Sequence, residues 1–480
     1  MGERKKVVTK DEPGTSVGLK LPSADLAHGD RHRRGPVPAQ SGQWFRCDSA
    51  PLPRGNTGES GNQREGCLLD PSAGDRRHSV MPAVVNQQTH RVYLFRFSGA
   101  VLVLAFCVIA INYIIDPYDI YPDVGLNSPV SRLDRVNMRL HKPYALEQMR
   151  AEHVVIGSSR AASLPPGVIG KHSYNASLPG IWMRELKLML EHAHTIRPLK
   201  SVFIALDYYM FRTENVGKVR EGLPPERLLT LAPTMRDRFA QGRQRSKDQW
   251  VSLLSVDSLV QSTLSMFSNE VPQSEYLDDG TWLHYPQKST NWLYSFVNKK
   301  RMREFLAESG ELDFVEFVDL IDFLSANDID TTFFLSPFHG SVMNSVKAAQ
   351  GWKNYLAWQR RVIKKVNASG SGFRVTGIEH NPGITLERIG IENSFYTDGM
   401  HFSPEAGKII MECITVGDCS DQLNVRVLTP GNMDSYLRDV SRLMNAYPVK
   451  NPQDFAALQK WLRNVQLTPV SKSTGPPGNQ

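Results

Sequence analysis

Apolar and polar positions divide the chain into contrasting stretches. Residues 1–85 are rich in Gly, Pro, Ser, Arg and Asp and carry no sustained apolar period, so a disordered tail is expected there. The run FSGAVLVLAFCVIAINYII, Phe97 to Ile115, holds no charged residue. Its length suits the ~20 residues a helix needs to cross a bilayer, and the expected span is 92–116. Beyond Arg132, short apolar runs alternate with amphipathic stretches. HVVIG (153–157), SVFIALD (201–207), TTFFLSP (331–337) and FRVTGI (373–378) read as buried strands. Between them, IWMRELKLMLEHAHTI places Met183, Leu186, Leu190 and Ala193 on one helical face. WKNYLAWQRRVIKKV does the same with Trp352, Tyr355, Leu356, Val362 and Val366. The alternation predicts one α/β domain over 125–465, three-layered, with a mostly parallel sheet. From about 215 to 300 it fades into a polar stretch, read as an insertion or cap over the sheet edge. Trp282, His284, Tyr285, Trp292 and Tyr294 in that stretch either line a groove for sugar rings or pack internally. Residues 466–480 read as a loose tail.

Charge orients the apolar run. His90, Arg91 and Arg96 precede it, while Asp116, Asp119 and Asp123 follow. The positive-inside rule then leaves the N-terminus in the cytoplasm and exports everything after Asp116. This is the layout of a single-pass protein of a bacterial inner membrane with a periplasmic domain. The competing readings are a cleaved signal peptide and a buried soluble helix, and Met81 is an alternative start of translation. A net charge of +7 invites a nucleic-acid reading. No zinc-finger spacing, RNP-like aromatic motif or concentrated basic helix supports one. Of the five cysteines, only Cys413 and Cys419 look matched, as a small disulfide loop or as two reduced thiols. No metal site is expected.

Two motifs carry chemistry. HVVIG runs into Ser158, Ser159 and Arg160, placing hydroxyls at the carboxyl end of a first strand, where open α/β sheets bind ligands. Alone, this is equally a Ser-rich turn capping a helix. Late in the chain, FYTDGMHFSPEAGKII supplies Asp398 and His401, followed by Ser403 as N-cap and Pro404 at the first helical position. A histidine needs a carboxylate on one ring nitrogen to orient it and stabilise its charged form. Its other nitrogen can then take a hydroxyl proton. Taken alone, the pair also reads as metal ligands or as a histidine satisfied by a carboxylate. Together the two motifs supply nucleophile, base and orienting acid.

GSSR followed by a late DGMH resembles the SGNH, or GDSL, hydrolase superfamily, over roughly residues 150–415. The resemblance implies a flavodoxin-like sheet, Ser159 as nucleophile, His401 as base and Asp398 as its orienting partner, with no cofactor. For the oxyanion it points to YNASLPG (174–180), with Asn175 and Gly180. The family's Gly-x-Asn-Asp block is replaced by ALDYYMF, putting Asp207 where a neutral donor would stand. A carboxylate repels an oxyanion, so Asp207 reads as structural or as a partner of Arg160. The layout also resembles the proteins that transfer D-alanine to teichoic acids and, more loosely, alginate O-acetyltransferases. That implies acyl transfer or ester hydrolysis on an envelope polysaccharide or other carbohydrate ester, with a membrane-bound acyltransferase as a possible partner. A non-catalytic accessory subunit of such a system is the alternative. His339, after another strand, ranks low as a substrate contact.

Overall fold

The computed structural model describes residues 87–121, 137–267, 274–284, 311–379, 386–388, 395–416 and 423–467, all within the unit Ala83–Gln480. The expected tails, residues 1–85 and 466–480, lie outside the described residues except for residues 466–467, which end a helix and are not a loose tail; Asp123, Tyr285, Trp292, Tyr294 and Cys419 lie outside them too.

The chain enters through helix α1 (Gln87–Ile115), within which His90–Ile115 is long and apolar enough to cross a membrane. Helix α2 (Met138–Met149) opens on Asn137, whose side chain accepts the Leu140 N–H. Pro143 inside this helix cannot donate to the Arg139 carbonyl, and Arg227 Nη1 does so instead at 2.8 Å.

The sheet then builds in order. Strands β1 (His153–Ile156), β2 (Ser173–Asn175) and β3 (Ser201–Leu206) alternate with helix α3 (Met183–Ile196). Between β3 and the next strand of the sheet lie α4 (Met235–Leu254), α5 (Val256–Phe267) and the hairpin β4–β5 (Ser274–Tyr276, Trp282–His284). In its described residues the expected insertion forms these helices and strands, and the two strands pair with each other rather than with the main sheet. Helix α6 (Val315–Ala326), strand β6 (Asp330–Leu335), helices α7 (Gly340–Ala348) and α8 (Trp352–Ala368) and strand β7 (Arg374–Glu379) follow. Helix α9 (Pro404–Val416), strand β8 (Asn424–Val427) and helices α10 (Met433–Lys450) and α11 (Pro452–Leu467) complete the described chain.

Six strands form one sheet in the order β2-β1-β3-β6-β7-β8. All neighbours are parallel except β7 and β8. Strand side chains alternate between two apolar cores. Val154, Ile156, Ile204, Phe333 and Leu335 join one, with residues of α2, α3, α6, α7, α8 and α10. Val155, Phe203, Ala205 and Phe334 join the other, with Ala406, Ile410 and Met411 of α9. Continuous apolar strands are what a parallel sheet covered on both faces requires. The helical faces read from periodicity are buried as expected at Met183, Leu186, Leu190, Ala193, Tyr355, Val362 and Val366. The strand order reverses direction at β1 and β3, which puts the crevice at their carboxyl ends.

Candidate active site

The turn that carries Ser158 and Ser159 leaves β1 through Gly157. A Cβ there would come within 2.9 Å of Ala161 and Ala205, so the turn closes against β3 only with glycine. The two serines that follow diverge. Ser158 is buried: its hydroxyl donates to Asp207 Oδ2 at 2.5 Å and accepts the Arg160 N–H at 3.1 Å. Ser159 is partly exposed and faces His401.

His401 Nε2 stands 2.8 Å from Ser159 Oγ, and His401 Nδ1 stands 2.6 Å from Asp398 Oδ2. Asp398 Oδ1 accepts the main-chain N–H groups of Met400 and His401 at 2.6 and 2.8 Å. Burial alone would raise the Asp398 carboxyl. The facing His401 and these N–H groups outweigh it and hold the group below its ordinary range. An ionised Asp398 can only accept, so Nδ1 carries the ring proton and the Nε2 lone pair faces the Ser159 hydroxyl.

The loop bearing Asp398 and His401 is a narrow hairpin. Thr397 N–H donates to His401 O, Ser403 N–H donates to Phe395 O, and Tyr396 bridges Phe402. Glu387 accepts the Phe395 and Tyr396 N–H groups at 3.3 and 2.9 Å. Ser403 caps α9, accepting the Ala406 N–H at 3.2 Å, with Pro404 next as expected. Gly407 brings α9 against the nucleophile loop, because a Cβ there would sit 2.2 Å from the Ser163 carbonyl oxygen. Glycine at both contacts thus sets the spacing between Ser159 and His401.

Arg160 ties the two halves together. Its guanidinium pairs with Asp207 and donates to the carbonyls of Pro337 and Met400, and it lies 4.0 Å over the Phe338 ring. Asp207 therefore neutralises Arg160 and holds Ser158, in keeping with the structural reading of that position.

One expectation changes. Asn175 is fully buried, and its amide nitrogen donates to the carbonyls of Ala161 (2.8 Å), Ala162 (3.2 Å) and Leu164 (2.8 Å). Its oxygen accepts the Ser177 N–H. With its donors spent on the loop after Ser159, Asn175 braces that loop and has no amide N–H to spare. His339 does not face the crevice. It caps α7 through Ser341, its Nε2 meets the Glu387 carbonyl at 2.8 Å, and burial pushes it down to about 4.

Gly180 sits in a left-handed turn (φ 62°) after β2. The turn is braced by Arg139, which donates to Pro179 O and pairs with the buried Glu185. The main-chain N–H groups of Ser159 and Gly180 have no acceptor among the described residues. The insertion also touches the site: Trp282 N–H donates to Ala162 O at 2.7 Å, and Asn175 N–H donates to Asp279 O at 2.8 Å. Trp282 itself is half-buried against the core.

The roles of Lys142 and Glu387 in bracing these loops had no signal in the sequence, since each depends on contacts with the backbone of other segments. Lys142 is fully buried, donating to the Asn175 and Gly280 carbonyls at 2.7 and 3.0 Å. No family model matches the chain, and no curated protein is significantly similar to it.

Proposed function

We propose that the protein is a membrane-anchored serine acyltransferase or esterase of SGNH type, working by the triad Ser159, His401 and Asp398 on an envelope polysaccharide or another carbohydrate ester. The observation that carries this reading is the unbroken line from Asp398 through His401 to Ser159, at 2.6 and 2.8 Å. A buried carboxylate, an oriented imidazole and a partly exposed hydroxyl are the elements of nucleophilic acyl transfer.

In this scheme Ser159 Oγ attacks the acyl carbon of a donor ester as its proton passes to His401 Nε2. Asp398 stabilises the resulting imidazolium. The oxyanion is met by the N–H groups of Ser159 and Gly180, the donors left open by the engagement of Asn175. His401 then protonates the departing alkoxide, leaving the acyl group on Ser159. A sugar hydroxyl or water next gives its proton to His401 as it attacks the ester, and His401 returns that proton to Ser159 Oγ as the serine departs. The chain would lie in a bacterial inner membrane with its N-terminus in the cytoplasm and this domain in the periplasm, where a membrane-bound acyltransferase could deliver acyl groups.

A second reading, a non-catalytic accessory subunit, draws on Asp207, which stands in place of a neutral oxyanion donor and is locked to Arg160. The two separate on p-nitrophenyl acetate turnover by the purified full chain, with and without an oligosaccharide acceptor. Turnover lost in Ser159→Ala supports the enzyme, and acetylated acceptor in place of free acetate marks a transferase. A folded protein with no turnover above that of Ser159→Ala favours the accessory role.

A further inference from the structure

The insertion between β3 and β6 does more than lean on the nucleophile loop: α4 and α5 also pack on α1. The contacts are polar and specific. Asn112, buried within the apolar span, donates to the Leu253 carbonyl at 2.9 Å and accepts the Ser262 hydroxyl at 3.0 Å. Just beyond the span, Tyr121 OH donates to Gln249 O and meets Ser252 Oγ, while Tyr118 OH donates to Asp257. Asp257 therefore meets α1's exit and Ser262 meets Asn112, so α5 descends antiparallel to α1.

The depth of that descent can be read from α1. At 1.5 Å per residue, Asn112 lies about 5 Å inside the end of the helix. On α1, which is largely exposed, Ala105, Val108 and Ile109 are half-buried and Asn112 is buried, a stripe at helical spacing. Ala105 is about 15 Å inside the end, near the middle of a bilayer's apolar core. On α5, the fully buried Ser258 and Ser262 face inward, small residues of the kind that let helices approach closely in lipid. The outer side carries Val256, Val260, Leu264, Met266 and Phe267, all exposed.

Composition is graded the same way. Arg236, Arg238, Arg243 and Lys247 stand exposed along the first part of α4. Trp250, Val251 and Leu254 follow, also exposed. From Gln249 to Phe267 the only ionisable side chain is Asp257, the partner of Tyr118. Basic residues, then tryptophan, then aliphatics is the order met on passing from headgroups to acyl chains.

We propose that the end of α4 and all of α5 form a second membrane-embedded element beside α1, the outer face of α5 against lipid acyl chains and the basic half of α4 against headgroup phosphates. This rests on α1 crossing the bilayer. It would hold the crevice close to the membrane surface, within reach of a substrate or donor delivered there.

The test uses the full chain with its cysteines replaced by serine, reconstituted in phosphatidylcholine–phosphatidylglycerol vesicles. Spin labels go at Leu264→Cys or Phe267→Cys, with Leu102→Cys as the reference on α1 and Lys353→Cys as the aqueous reference. Labels at 264 and 267 are expected to relax more with oxygen than with a water-soluble nickel chelate, as at 102 and opposite to 353. Access of the chelate to 264 and 267, with 102 protected, overturns the proposal while leaving the anchor intact. Access at 102 as well overturns both. Protection from both reagents at 264 and 267 means a protein surface covers α5, which also overturns it. Should the cysteine replacements unfold the chain, the native sequence answers the question through Trp250. Brominated phosphatidylcholine is expected to quench a fraction of tryptophan fluorescence that disappears in Trp250→Phe, and quenching unchanged by that substitution contradicts the proposal.

Discussion

Replacing Asp207 with alanine isolates the pair that joins the nucleophile turn to the base loop. Arg160 and Asp207 are 3% and 1% exposed, so the substitution strands a guanidinium out of water. Breaking a buried ion pair on one side costs about 3–5 kcal/mol, mainly through the uncompensated charge left behind. Arg160 keeps the Pro337 and Met400 carbonyls and the Phe338 ring, which places the expected loss at the lower end, about 3 kcal/mol. That is roughly a hundredfold change in the ratio of folded to unfolded chain. Ser158 also loses the acceptor of its hydroxyl. Urea unfolding of the detergent-solubilised full chain measures the change. The double variant Arg160→Met/Asp207→Leu, which removes both charges, should recover most of the loss. A cost under about 1 kcal/mol for Asp207→Ala, or a double variant no better than the single one, would refute the view that a desolvated pair holds this corner of the site.

Asn175→Ala should destabilise the fold by about 2 kcal/mol, because the Leu164 carbonyl loses its donor while those of Ala161 and Ala162, which keep the Leu164 and Trp282 N–H groups, each lose one of two. Unchanged stability with a hundredfold drop in turnover would instead make the amide an oxyanion donor. Burial pushes Lys142 down to about 7, so at pH 8 it donates mostly as a neutral amine. Lys142→Met keeps the volume but leaves the Asn175 and Gly280 carbonyls without that donor, and should lower the urea midpoint at pH 8 by the equivalent of about 2 kcal/mol. A midpoint at or above that of wild type would sink the idea that this buried amine braces the hairpin. Burial pushes Glu387 from 4.5 up to about 7 against the pull of the Tyr396 and Phe395 N–H groups. Its folded state favours the neutral acid, so its contribution is full below pH 4.5 and is lost as pH rises through about 7. Discounted for its half-exposed side chain, the swing is about 2 kcal/mol. Stability profiles of wild type and Glu387→Gln between pH 4 and 8 should diverge by that amount, and parallel profiles would contradict it.

The sheet was legible because its strands are apolar throughout and its helices keep a regular period, two signals that survive without knowledge of neighbours. Ser159, Asp398 and His401 could be placed for a related reason: each follows a strand or precedes a capped helix, and the spacing between Asp398 and His401 is local. Asn175 was harder. Its residue type suits both an oxyanion donor and a loop brace, and the choice depends on whether the carbonyls of Ala161, Ala162 and Leu164 curl back over it. The insertion was harder still. Its helices α4 and α5 pack on α1, a contact between segments more than a hundred residues apart that periodicity does not register.

The central claim is that Ser159 is a nucleophile activated by His401. Intact-mass and peptide mass spectrometry after treatment with diisopropyl fluorophosphate test it directly. The account predicts a single phosphoryl adduct on Ser159, absent in Ser159→Ala and much slower to form in His401→Ala, while the neighbouring Ser158 stays unlabelled. A folded protein that takes no label, or one labelled equally fast without His401, would contradict it.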